Sequence, residues 1–380
     1  MDLSFLQILW FILIIVLWIG YVTLEGFGFG TGMLLRILPR NEKERRLQLN
    51  TIGPHWDGNE VFLLTAGGAT FAAFPEWYAT MFSGMYIALV LVLVLLILRI
   101  SAIEWRGKIN SDAWRTAWDY IHFGSAWLVA LVWGVAFGNL VQGMAIQVGT
   151  YGVAGDPSTF VPADPTQIDA ALAQGNQHFL TGGFFSLFTP FTIAAGLVVV
   201  SLFLTHGALW LALKTSGDFS NRAKALAKKT SLVSTGLTAV WALWAFFAYS
   251  TTGYAIIPLA LAAIGLLAST FFTLKGQEKA GFFANMAGVA CAVVFIFTTT
   301  VPFALKSYID DAYGLTLVQA SATSATHTVM TIAAAIFVPI VAVYTIWSYI
   351  SFSRRLSVDS ISDEPAGLHP TKIREFDSAM

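Results

Sequence analysis

The sequence predicts an all-α polytopic membrane protein of nine transmembrane helices, with its N-terminus outside and its C-terminus in the cytoplasm. Three observations predict it. The 380 residues are 56% hydrophobic and only 11% charged, too apolar for a soluble chain of this size. Nine apolar segments reach spanning length at about 20 residues per crossing. The basic residues fall in alternate connections: 36–46, 99–115, 214–229, 275–279 and the stretch from 354 on hold every Lys and Arg except Lys306. By the positive-inside rule those connections are cytoplasmic, and a wrong helix count would scramble the alternation. Strands are not expected, because open sheet edges cannot be satisfied in lipid.

The segments lie near 5–35, 55–74, 78–98, 118–144, 179–213, 231–249, 255–274, 282–303 and 326–350. The start, Met-Asp-Leu-Ser, lacks the basic region of a cleaved signal peptide, so the first segment is expected to remain as a helix. It is long, and the glycines at 26, 28, 30 and 32 permit a local break. The external connection 145–178 carries three aspartates and no Lys or Arg. Within it, Asp164-Pro165 reads as an N-cap followed by proline at the first helical position, with Gly175 as the stop of a short surface helix. Thr189-Pro190-Phe191 interrupts the fifth segment, and kinks are expected at or near Pro258, Pro302 and Pro339. Residues 1–352 form a single transmembrane domain. Residues 353–380 form a polar cytoplasmic tail, with Pro365 and Pro370, that is expected to be disordered.

Ionisable groups inside apolar segments cost about 2.5–3.5 kcal/mol each on insertion scales and are candidates for function. Glu25 is the only charged side chain between Leu3 and Leu35. Asp57 and Glu60 open the second segment and, three apart, share a helix face. If the turn lies near 39–44, Glu25 is about 18 positions before it and Asp57 about 14 after it, which puts the two acids at similar depth. Such a pair suggests a proton route; alternatively Asp57 and Glu60 cap the second helix at headgroup level. Glu25, Asp57 and Glu60 are all candidates for the proton route, and of the three Glu60 fits the helix-end role better.

Gly28-xxx-Gly32 and Gly134-xxx-Gly138 are spacings that let helices approach closely, and Asn139 and Gln142 can hydrogen-bond across helices. Cys291, the single cysteine, excludes an internal disulfide and is expected in helix packing. His122 and His206 could ligate haem, with Met33, Met85 or Met330 as second axial ligands. Single histidines at helix ends more often bond backbone, so haem ligation by this chain is not expected. The chain has no HExxH, GxSxG or phosphate-binding glycine loop.

Several runs together resemble subunit II of the cytochrome bd-type quinol oxidases. They are Leu24-Glu-Gly-Phe27, Arg45-Arg46, Ile52-Gly-Pro-His-Trp-Asp-Gly-Asn59, Leu64-Thr-Ala-Gly-Gly-Ala69, Phe71-Ala-Ala-Phe-Pro75, Gly134-Val-Ala-Phe-Gly-Asn-Leu-Val-Gln-Gly143 and Thr189-Pro-Phe191. The resemblance implies two four-helix bundles plus one peripheral helix, and a heterodimer. In it, subunit I holds the quinol site, two b-type haems and one d-type haem, and subunit II binds no haem. The complex would oxidise quinol and reduce dioxygen to water, with protons drawn from the cytoplasm partly through subunit II. A structural quinone or lipid in this subunit, and small single-helix subunits, are left open. The motif implies that Asp57 is an interface acid on the proton route, with Glu25 as its first-helix partner and His55 and Trp56 in interface or packing roles. Two positions depart from the pattern: many relatives carry a second acid where Gly28 stands, and some a tryptophan where Phe62 stands. A secondary transporter or ion channel is the rival reading, since such proteins also use discontinuous helices.

Overall fold

The computed structural model describes residues 3–153, 156–363 and 367–368. Ser4 caps the first helix, α1 (Phe5–Leu34), which runs without the break its glycines permit. A short amphipathic α2 (Glu42–Asn50), capped by Asn41, leads into α3 (Trp56–Ala73). Proline forces a boundary next: α3 stops at Phe74 and α4 (Pro75–Gly84) begins with Pro75 at its first position. After a second break at Met85, α5 (Tyr86–Trp105) follows. The expected single segment 78–98 is therefore two helices, and the second extends past its predicted end. Next comes α6 (Asp112–Gln142), capped by Ser111 and stopped by Gly143 at φ 94°.

The connection that follows holds strands, which corrects the expectation of none. β1 (Ile146–Tyr151), β2 (Phe160–Pro162) and β3 (Gln177–Leu180) form an antiparallel sheet in the order β2-β1-β3. Lying between spanning helices rather than within them, these edges escape the lipid constraint. The short helix α7 (Ile168–Ala173) sits where Asp164 and Gly175 predict it, with Asp164 accepting from Thr166 N. In the fifth expected segment, α8 (Pro190–Lys214) starts only at Pro190, under a Thr189 capping box. Residues 179–189 are thus outside it, a second correction, and the proline opens a helix instead of kinking one. α9 (Gly217–Tyr249) begins well before the expected 231, since its basic first half is helical too. α10 (Ile256–Leu274) and α11 (Glu278–Thr298) form a hairpin. β4 (Phe303–Leu305) and β5 (Leu315–Thr316) pair in the connection after α11, before α12 (Leu317–Ala320) and α13 (Ser324–Ser351). Of the prolines expected to kink helices, Pro258 lies in the first turn of α10, Pro302 beyond the end of α11, and Pro339 inside α13.

Among the described residues, eight helices are long and apolar enough to cross a membrane: α1, α5, α6, α8, α9, α10, α11 and α13. The molecule is a multi-pass membrane protein. Helix α1 packs against α3, α6, α8 and α11, α5 against α6, and α8 to α11 against one another, while α13 touches only α1 and α3 substantially. The closest crossings are backbone on backbone. A Cβ at Gly30 would lie 1.9 Å from Phe203 O of α8, and one at Gly134 would lie 2.5 Å from Gly196 Cα.

The first part of the C-terminal tail is folded, contrary to the expected disorder. Leu356 N donates to Lys214 O (2.8 Å), Lys43 pairs with Asp363, and Ile361 is buried in a cluster with Leu38, Leu47 and Ile52. Apolar and charged anchors inside a polar segment outweigh its composition. Pro365 and Pro370 lie outside the described residues.

Candidate functional site: a buried two-acid, one-arginine group

Three helices bring charge into the apolar interior. Glu25 projects from α1, Glu60 from the first turns of α3 and Arg99 from α5. The Arg99 guanidinium donates to Glu25 Oε1 through Nη2 and to Glu60 Oε1 through Nη1 at 2.9 Å. Glu25 and Arg99 are fully buried, and the Glu60 side chain is 12% exposed. The guanidinium also lies 4.4 Å from the centre of the Phe29 ring, a cation–π contact. Because α5 is apolar almost throughout, Arg99 enters lipid depth only by carrying its own counter-charges with it.

The neighbours hold this geometry. Asn59 Nδ2 donates to Leu24 O (3.0 Å), tying α3 to α1 one residue before each acid, and Asn59 Oδ1 accepts from the Tyr349 hydroxyl (2.8 Å). Tyr349 stacks on His55, with ring centres 4.3 Å apart. His122 Nδ1 lies 3.3 Å from Arg99 O. Gly28 lets the two charged ends lie directly on α1: a Cβ there would sit 2.8 Å from Glu25 Oε1 and 2.9 Å from Arg99 Nη2 and would push them aside. Two carboxylates facing one permanently charged guanidinium form a group that can hold or release a single proton while keeping its cation fixed.

This arrangement corrects the sequence reading at three points. Asp57 is not brought to Glu25; it is exposed on the first turn of α3 and makes no ion pair among the described residues. Glu60, expected as a helix-end charge, is the acid that shares an arginine with Glu25. Arg99, counted with the cytoplasmic connection, is a buried member of α5. Its signal was in the sequence: Arg99 is flanked by Leu98 and Ile100, inside the apolar run, rather than by polar loop residues.

The remaining candidates fall elsewhere. His55 is buried, Trp56 half-buried. Gly32 lies against Ala126 and His122 of α6. Asn139 Nδ2 donates to Val135 O and Leu187 O, both at 2.8 Å. Gln142 accepts from Thr189 Oγ1 (2.7 Å) and donates to the Tyr249 hydroxyl (3.2 Å). Both ring nitrogens of His206 are engaged, Nε2 with Thr23 O and Nδ1 with Asn285, so neither is available to a haem iron. Met33 and Met85 are buried in the apolar core, and Met330 packs on it. Among the described residues no group of three or more His, Cys, Asp or Glu side chains could hold a metal ion.

Beside the membrane a second charged group locks α2 to α5 and α6. Glu42 receives two hydrogen bonds from Arg106 (2.9 and 2.8 Å), and Arg106 also donates to Asp119 (2.5 Å). Burial pushes the Glu42 carboxyl up, but the bonds and charge of Arg106, with Arg45 and Arg115, outweigh it and hold Glu42 below the usual range.

Fold and site together define a polytopic helical protein that buries a two-acid, one-arginine group inside its bundle. Residues 6–352 match the family described as cytochrome bd terminal oxidase subunit II, and the chain belongs to that family. It is 34% identical to a probable cytochrome oxidase subunit 2 of Haemophilus influenzae, over 97% of this chain and 100% of that one. It is 39% identical to cytochrome bd ubiquinol oxidase subunit 2 of Bacillus subtilis, over 92% and 96%. Its fold matches a chain in the structure of bd oxidase from Geobacillus thermodenitrificans, with a TM-score of 0.69, 15% identity, and coverage of 92% of this chain and 99% of that one. The chain is accordingly a subunit of a terminal oxidase, an oxidoreductase complex with a partner subunit I, and the transporter reading gives way.

Proposed function

We propose that this chain is the haem-free subunit of a quinol-oxidising, dioxygen-reducing complex in a bacterial cytoplasmic membrane. It supports assembly with a subunit I that holds the quinol site, two b-type haems and the d-type haem, and it helps carry protons to them from the cytoplasm. The observation that carries the proton role is the buried Glu25–Arg99–Glu60 group: a membrane interior does not retain two carboxylates on one guanidinium without use. Asp57 supports the assembly role. It stands on the same exposed stripe of α3 as the apolar Val61, Leu64 and Phe71, a face suited to burial under subunit I. In this reading α3 with α4 supplies the ninth crossing. The two four-helix groups are then α1, α3, α5 and α6, and α8 to α11, with α13 peripheral, the N-terminus outside and the C-terminus cytoplasmic. A structural quinone, lipid or small single-helix subunit would be an addition to this frame.

The test uses the tagged chain purified from its native membrane. A co-purifying partner with a d-type haem spectrum is expected, and isolation of a stable haem-containing monomer overturns the assignment. In the purified complex, Glu25→Gln should slow proton uptake several-fold with the haem spectrum unchanged; an unchanged rate removes the proton role.

A further inference from the structure

Where α9 and α10 pack on α6, α8 and α11, far in sequence from the acid pair, they enclose a cavity of about 140 Å³. Alanines leave this space: Ala239 and Ala242 of α9 and Ala262 and Ala263 of α10 line it where longer side chains would fill it. Ala242 and Ala262 are buried, while Ala239, Ala263 and Leu267 are exposed, so the mouth opens between α9 and α10 toward the surrounding membrane. Polar groups are few. Thr235 Oγ1 is bonded to Thr270 Oγ1 (2.9 Å), and Thr238 Oγ1 is buried without a hydrogen-bond partner. One such hydroxyl is too little to hold water, which needs two or more polar groups, and apolar cavities of about 150 Å³ stay dry and take apolar guests.

The same helix faces lead to charge. Thr270 Oγ1 donates to Ser231 O (3.2 Å), which fixes α9 against α10 beside the cavity, on its basic side. Lys228 stands seven positions before Thr235 and so on its face. Lys275 ends the α10 ridge Ala263, Leu267, Phe271, Lys275, with its amine 4.6 Å from the centre of the Phe271 ring. Among the described residues neither lysine forms an ion pair. No acid lies between Asp218 and Glu278, and both of those are engaged, Asp218 by Arg40 and Arg222, Glu278 by Lys224 and Arg355. Leu267 is about 12 Å along its helix from Lys275, and Ala239 about 16 Å from Lys228, close to the roughly 15 Å depth of one leaflet's hydrocarbon.

We propose that α9 and α10 together seat one anionic phospholipid, its phosphate on Lys228 and Lys275 and one acyl chain running past Leu267 to end in the cavity. Two uncompensated cations at headgroup level and an apolar cavity one chain length deeper call for a molecule with both features. A free anion would have no use for the cavity, and a neutral apolar molecule none for the lysines.

The experiment uses the complete oxidase complex in nanodiscs of phosphatidylcholine with a small fraction of phosphatidylglycerol whose acyl chain ends in a photoreactive diazirine. After illumination the label is expected on α9 and α10 peptides around Ala239 and Leu267. Excess unlabelled phosphatidylglycerol should remove it and excess phosphatidylcholine should not. Lys228→Gln with Lys275→Gln should weaken the phosphatidylglycerol competition about 25-fold, at roughly fivefold for each lysine beside an anionic headgroup. Ala263→Leu puts a longer apolar side chain in the mouth and should cut the labelling at least fivefold; Ala239→Leu serves if that variant fails to assemble. Label spread evenly over the lipid-facing helices, or unchanged by either leucine, overturns the seat. Equal competition by phosphatidylcholine, or an unchanged affinity in the double lysine variant, overturns the anionic headgroup. A map of the complex with a quinone tail or another subunit's helix in the mouth overturns the proposal outright.

Discussion

Replacing Arg99 by methionine tests whether the buried group is held by charge balance. The substitution keeps much of the side-chain volume and removes the one cation that Glu25 and Glu60 share. Removing one partner of a buried ion pair costs about 3–5 kcal/mol, because the other charge is left without compensation. Here two carboxylates are left, one fully buried, so the upper part of that range applies. At roughly 2 °C per kcal/mol for a chain of this size, the thermal inactivation midpoint of the assembled complex should fall by about 10 °C. The triple variant Arg99→Met, Glu25→Gln, Glu60→Gln removes the charges together and should recover most of the loss, as neutral replacements of buried ionic groups often do. The assay follows the haem spectrum of purified complex against temperature. If Arg99→Met stays within about 2 °C of the parent, or the triple variant is no better than the single one, charge balance does not hold the group together.

Gly30→Ala should cost about 3 kcal/mol or abolish assembly, read as the yield of purified complex, because its methyl group would meet backbone of α8; Gly236→Ala on α9, with nothing within 4 Å, should be neutral in that assay. Ile361→Ala should cost about 2 kcal/mol and loosen the folded part of the tail, read as faster proteolysis after residue 352. Lys306 is buried outside the spanning helices with its amine on Tyr249 O; burial lowers its pKa from 10.5 to about 8, against the opposing pull of Asp311. Between those two values the unfolded chain binds more protons, so this residue's contribution to stability should rise from pH 8 to 10.5 and stay flat below 8. Comparing thermal midpoints of the parent and Lys306→Met across that range checks it, and parallel curves refute it.

The spans were legible because apolar length and basic alternation are one-dimensional signals, and Asp164, Gly175 and Thr189 marked helix ends through chemistry local to each turn. The cap strands were missed because a rule that holds in lipid was extended to connections outside it. The folded tail was missed because its anchors, Lys214 and Lys43, are distant in sequence.

The site was half legible for a related reason. Glu25 stood out as a lone charge, yet its partner could not be found by measuring depth along a hairpin, since depth says nothing about which way a side chain faces. Asp57 and Glu60 are three residues apart on α3, and the structure sends one outward and the other to Arg99. Charge balance would have pointed to the missing cation, Arg99, and to a second carboxylate beside it. A buried acid needs a cation at its own depth, and Arg99 is the cation within an apolar helix of the same half of the chain. Its bond to Glu25 leaves a second donor, Nη1, that only another carboxylate satisfies at comparable strength. Glu60 supplies that carboxylate, which leaves Asp57 free to face outward.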